Sequence, residues 1–174
     1  MEEKSLYSQP VIDLLTVCAE FCRLVENPAS SGRPAFTRTL RALLPMLYLK
    51  MTLLPEQGEP LAEPPRYVSE ADYDYVRRSC AAVMADRDDY LDTFVEDFKY
   101  SEQPVLCTIS ENLADLYQAL RDLLEAFRTE HEETMAAALA EAAAAFEDYW
   151  GQTLLNCLKA VHDARDAESG EPAL

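Results

Sequence analysis

The chain has 174 residues, with 32 acidic side chains against 15 basic ones, a formal charge of -17 and 49% hydrophobic residues. That length suits a single domain with a sizeable core, because domains hold roughly 100 to 200 residues. The acidic balance works against nucleic-acid or anionic-membrane partners, whose phosphates the overall field repels.

No run reaches the roughly 18 to 20 apolar residues that cross a bilayer. The most apolar stretch, Leu43 to Pro55, is 13 residues long and contains Lys50 and Pro45. The opening MEEKSLYSQPVIDLL lacks the basic region and apolar run of a secretory signal, so a cytoplasmic location is expected. Five cysteines, Cys18, Cys22, Cys80, Cys107 and Cys157, are odd in number. Cys18 and Cys22 stand at i, i+4, a spacing that can bring two thiolates to one metal. No second Cys or His pair follows at a zinc-site spacing, and reduced core residues are expected.

The first helix is expected from about Pro10 to Asn27, with Ser8 as cap and Pro10 tolerated in the opening turn. Its apolar positions, from Val11 through Leu14, Leu15, Cys18, Phe21 and Cys22 to Val25, cover more than half the circumference, the pattern of a central helix. PASSGRP, Pro28 to Pro34, is a turn. A second helix starts near Ala35 and carries Phe36, Leu40, Leu43, Leu44, Leu47, Tyr48, Met51 and Leu54, with Pro45 inside it, where a kink is predicted. Pro55 to Val68 holds four prolines and Gly58 in 14 residues, a length at which connections are often functional or mobile, although a surface crossover between helices is the commoner reading.

Ser69 with Asp72 starts the third helix, whose face is Tyr73, Val76, Cys80, Val83 and Met84. Another helix is expected from near Asp88, with Tyr90, Leu91, Phe94, Val95 and Phe98 on one side. Six of the twelve residues from Asp86 to Asp97 are acidic. On a helix Asp88, Asp92 and Glu96 would form one solvated row, while Asp97 borders the apolar stripe and would need a partner if buried. Tyr100 to Val105 reads as a turn. Ile109 to Arg128 has an unbroken stripe of Ile109, Leu113, Leu116, Tyr117, Leu120, Leu123, Leu124 and Phe127, with either Ser110 followed by Glu111 or Thr108 with Glu111 as its start. Glu111, Asp115 and Asp122 fall on the opposite side. Thr129 with Glu132 predicts a second capping box, opening one long last helix from about Glu130 to Asp163 that Gly151 bends. Residues 164–174 are expected to form a disordered acidic tail. About six helices without a strand pattern predict an all-α, single-domain antiparallel bundle over residues 1–163.

Candidate chemistry is sparse. Asp97, Glu111 and Asp115 could hold Mg2+ or Mn2+, since hard cations take carboxylates from facing helices; a solvated acidic face competes with that reading. Glu-x-x-His pairs for a di-iron centre are missing, as are glycine-rich phosphate loops and nucleophile arrangements. Lys50 in its apolar run calls for a structural ion pair, and His162 suits a surface role near a helix C-terminus.

The fragment ENLAD, residues 111–115, resembles the EELAD-type signature of the MazG-like nucleotide pyrophosphohydrolases, all-helical enzymes whose carboxylates hold Mg2+ against a triphosphate. It departs at Asn112, where that pattern has Glu. Over a longer span, LLPMLYLKMTLLP, DDYLDTFVEDFKYSEQP, ISENLADLYQAL and YWGQTLLNCLKAVHD resemble the bacterial family catalogued as domain of unknown function 5063, from about Val11 to Asp163. That resemblance implies a compact all-helical bacterial protein and assigns no activity. It points to Lys50, Asp97, Tyr100, Ser101, Glu111, Asp115, Asn156 and His162 as a shared polar site. The expectation is a module without catalysis that binds a protein partner or small ligand, and neither nucleic acid nor membrane. The alternative is a divalent-metal-dependent phosphohydrolase using Mg2+ or Mn2+.

Overall fold

The computed structural model of the protein describes residues 6–92 and 104–165. The fold is all-α: α1 (Gln9–Glu26), α2 (Gly32–Thr52), α3 (Glu70–Met84), α4 (Ile109–Arg128), α5 (Glu132–Ala145) and α6 (Gly151–Asp163). No helix among the described residues is long and apolar enough to cross a membrane. The buried residues form one cluster, with α4 packed against α1, α3, α5 and α6. Leu113, Leu116 and Leu120 of α4 are fully buried, as the stripe predicted. Four cysteines are buried and all five are free; burial pushes the Cys18 thiol up to about 12.

Three local expectations are corrected. Asp89–Asp92 is a strand, β1, paired antiparallel with β2 (Val105–Thr108), Tyr90 opposite Cys107. The helix expected from Asp88 is therefore absent at its start, and Phe94, Val95 and Phe98 lie outside the described residues. The alignment of Asp88 with Asp92 on a helical face fails with it. Asp88 is instead buried against the start of α4, where its carboxylate accepts from the Ser110 N–H at 2.8 Å and the Ser110 hydroxyl at 2.6 Å. Its carbonyl takes the Ile109 N–H and Thr108 takes that of Glu111, so three donors left open by the first turn are satisfied, and the negative charge sits at the favourable helix end.

The long last helix is two helices joined by a π turn at Phe146–Trp150. The turn brings Phe146 and Trp150 together, ring centroids 4.7 Å apart, and Trp150 donates to the Ala142 carbonyl at 3.1 Å. Gly151 is required there, since a Cβ would sit 2.5 Å from the Phe146 carbonyl oxygen. Thr129 opens no capping box. It ends α4, donating to the Ala126 carbonyl, and His131 precedes α5 without a side-chain cap. The box predicted at Ser69 and Asp72 does form. α2 continues through Pro45 as one helix, because the exposed ring faces outward and the Arg41 carbonyl that loses its donor lies at the surface.

Candidate functional site

Asp122 was expected on a solvated side of α4 and is buried, 7% exposed. Its Oδ1 accepts the backbone N–H groups of Tyr67 and Val68, each at 2.8 Å. Oδ2 faces Arg66 at 3.9 Å, and Arg66 also pairs with Glu141 of α5. The proline-rich connection is thus pinned to α4 and α5 at its downstream end, and Pro64 is buried there.

Asp115, on the same side of α4, is half-buried because α3 and the π turn cover it. Its Oδ1 accepts the Tyr73 hydroxyl at 2.7 Å and its Oδ2 the Tyr149 hydroxyl at 3.0 Å. Burial, then the Asp115 carboxylate, pushes both phenols upward, so they stay neutral donors. Glu111 is exposed one turn away. Among the described residues no three His, Cys, Asp or Glu side chains gather as a metal-holding group. Asp97, Tyr100 and Ser101 lie outside the described residues. Asn112, at the position where the pyrophosphohydrolase pattern has Glu, is buried and donates to the Tyr90 hydroxyl of β1.

The remaining expected polar residues sit in separate settings. Lys50 forms the anticipated ion pair, 2.8 Å from Asp13 of α1, and its hydrogen bond holds the Asp13 carboxyl below the usual range. Asn156 donates to Asp92 of β1 at 2.9 Å. His162 is exposed on α6 and lines a groove against α2.

That groove is a concave surface between two helices. It has a volume of about 690 Å³ and is lined by Arg38, Arg41, Ala42 and Pro45 of α2 and by Leu155, Leu158, Lys159 and His162 of α6. Each helix contributes residues at i, i+3, i+4 and i+7, a single stripe. The floor is apolar and the polar groups are cationic or imidazole. None of the lining residues is acidic, in a chain with 32 acidic side chains. Lys159 is engaged by Asp163 at 3.2 Å. Arg38 and Arg41 are exposed and have no acidic partner among the described residues. Sequence inspection singled out only His162; the signal for the rest was the pair of arginines on the outward side of α2, legible once α6 supplies the opposite wall.

The geometry defines an all-α bundle with a basic-rimmed groove between α2 and α6. The chain belongs to the family described as Domain of unknown function (DUF5063), which matches residues 5–166. It is similar to a structural-genomics target, protein BF1032 from Bacteroides fragilis, known from a crystal structure. The two share 34% identity with a TM-score of 0.80, covering 97% of this chain and 99% of that one. No functionally curated protein matches the chain.

Proposed function

We propose that this chain is a non-catalytic binding module whose working surface is the groove between α2 and α6, and that the groove takes an anionic group carried on an apolar body. The observation behind this reading is the pair Arg38 and Arg41, guanidinium groups without an acidic partner among the described residues, above the apolar floor of Ala42, Pro45, Leu155 and Leu158. Guanidinium groups on an open surface bind carboxylate or phosphate through paired N–H donors. The net charge of -17 opposes this only weakly at working ionic strength, because charges beyond a Debye length of about 8 Å are screened.

The test is a titration of isotope-labelled protein with inorganic phosphate and with hexyl phosphate, followed by amide NMR shifts. Saturable shifts confined to residues 38–45 and 155–162, larger for hexyl phosphate and lost in Arg38→Gln/Arg41→Gln, are expected. Shifts that persist in that double variant, or that fall elsewhere, overturn the reading. The metal-dependent hydrolase reading has less behind it, since two phenols already occupy both oxygens of Asp115. Saturable Mn2+ binding by calorimetry, lost in Asp115→Asn, would revive it.

A further inference from the structure

The outward row of α2 does not stop at the groove. At 100° per residue, Arg38, Ala42, Pro45, Leu49 and Leu53 fall within a narrow arc, flanked by Arg41 and Met46. Leu49 is 53% exposed, Leu53 56% and Met46 44%. The row is therefore cationic at its start, apolar at its end, and about 22 Å long at 1.5 Å per residue. A small anion would use one end of it and leave the leucines in water. Leucines repeated along one exposed helix face, continuous with an apolar groove floor, mark a surface that a second helix covers.

We infer that the row from Arg38 to Leu53 docks an amphipathic helix of a partner protein, with an apolar stripe over Leu49 and Leu53 and carboxylates over Arg38 and Arg41. This rests on the anionic-group reading of the groove and names its occupant. The occupant is acidic at one end because the lining offers the guanidinium groups of Arg38 and Arg41 and no carboxylate. A second copy of this chain fits poorly: a two-fold contact through this face would set the arginines of one copy against the arginines or the leucines of the other, and the row supplies no carboxylate to meet them. Shape alone does not choose the partner; the polarity of the row does, since a helix bound in reverse would place its carboxylates on leucine.

The probe is a fluorescein-labelled helical peptide of about 15 residues, the length of the row, with leucines at i, i+3, i+4 and i+7 and glutamates in one terminal turn. A second peptide has lysines for the glutamates. Anisotropy titrations of the full chain are expected to show saturable binding of the acidic peptide, weakened at least about tenfold by Leu49→Glu and by Arg38→Glu/Arg41→Glu. The charge-reversed chain is expected to prefer the lysine peptide, a swap that misfolding cannot produce. All substituted side chains are exposed, and unchanged circular dichroism checks the fold.

Equal binding of both peptides to the wild type, or no effect of either variant, overturns the docking. So does a large gain in peptide affinity on deleting residues 166–174, which would make the chain's own acidic segment the occupant. A concentration-dependent dimer in sedimentation, abolished by Leu49→Glu, would give the face to a second copy. If phosphate compounds shift the groove amides while the peptide fails to bind, the groove reading stands and the helix falls; if neither binds, both fall.

Discussion

Replacing Asp122 with alanine removes the acceptor that holds the proline-rich connection to α4. Two backbone N–H groups, of Tyr67 and Val68, lose bonds of 2.8 Å to a carboxylate. Hydrogen bonds to charged groups contribute about 1.5 to 3 kcal/mol each, a gross loss of about 3 to 6 kcal/mol. Against this, a carboxylate only 7% exposed need no longer be desolvated, and the half-exposed Arg66 at 3.9 Å contributed under about 1 kcal/mol. Tyr67 is 37% exposed, so its freed N–H can recover some hydration. The net destabilisation is expected at about 2 to 3 kcal/mol, lowering Tm by about 5 to 10 °C for a chain of this size. Asp122→Asn keeps an oxygen acceptor and is expected to fall within about 1 kcal/mol of wild type.

Urea unfolding followed by circular dichroism measures the first quantity. The local effect is read by tryptic cleavage after Arg66, whose following peptide N–H is one of the two pinned groups; nicking is expected to accelerate about tenfold or more in Asp122→Ala, since every 1.4 kcal/mol of local opening is a factor of ten. An Asp122→Ala protein within about 0.5 kcal/mol of wild type, with unchanged nicking, would refute the account of the connection as tethered through this carboxylate.

Gly151→Ala, which in an ordinary helix interior gains about 1 kcal/mol, is expected to cost about 1 to 3 kcal/mol here because the new Cβ meets the Phe146 carbonyl; a rise in Tm would contradict the π-turn geometry. In the native protein at pH 8 a thiol reagent should modify Cys107 alone on the fast timescale, because the other four cysteines are buried and Cys107 is only partly so. Five reactive thiols before unfolding would oppose the packing. For Asp13, the Lys50 hydrogen bond lowers the folded pKa below the unfolded value, so the pair's contribution is present at neutral pH and disappears as pH falls from about 4 through the lowered value. The stability gap between wild type and Lys50→Met should close over that acid range, and a gap independent of pH would rule out the pair as its source.

Helix positions and their buried faces could be read from the residues because a 3.6-residue period is a local property. The stripe from Ile109 to Phe127 faces the core, and Thr108 and Ser69 cap the helices they precede. What escaped the reading depends on partners distant in the chain. Asp122 meets backbone groups 54 and 55 residues away, and Asp115 meets phenols 42 and 34 residues away on opposite sides. A helical wheel sorts residues by their own polarity and so assigned both to solvent. The strand at Asp89–Asp92 escaped for the same reason, since a four-residue strand exists through its partner at Val105–Thr108. So did the groove, whose lining residues on α2 and α6 lie more than a hundred positions apart. Periodicity declares which side of a helix is apolar, but which polar side is covered, and by what, is decided only when the helices pack.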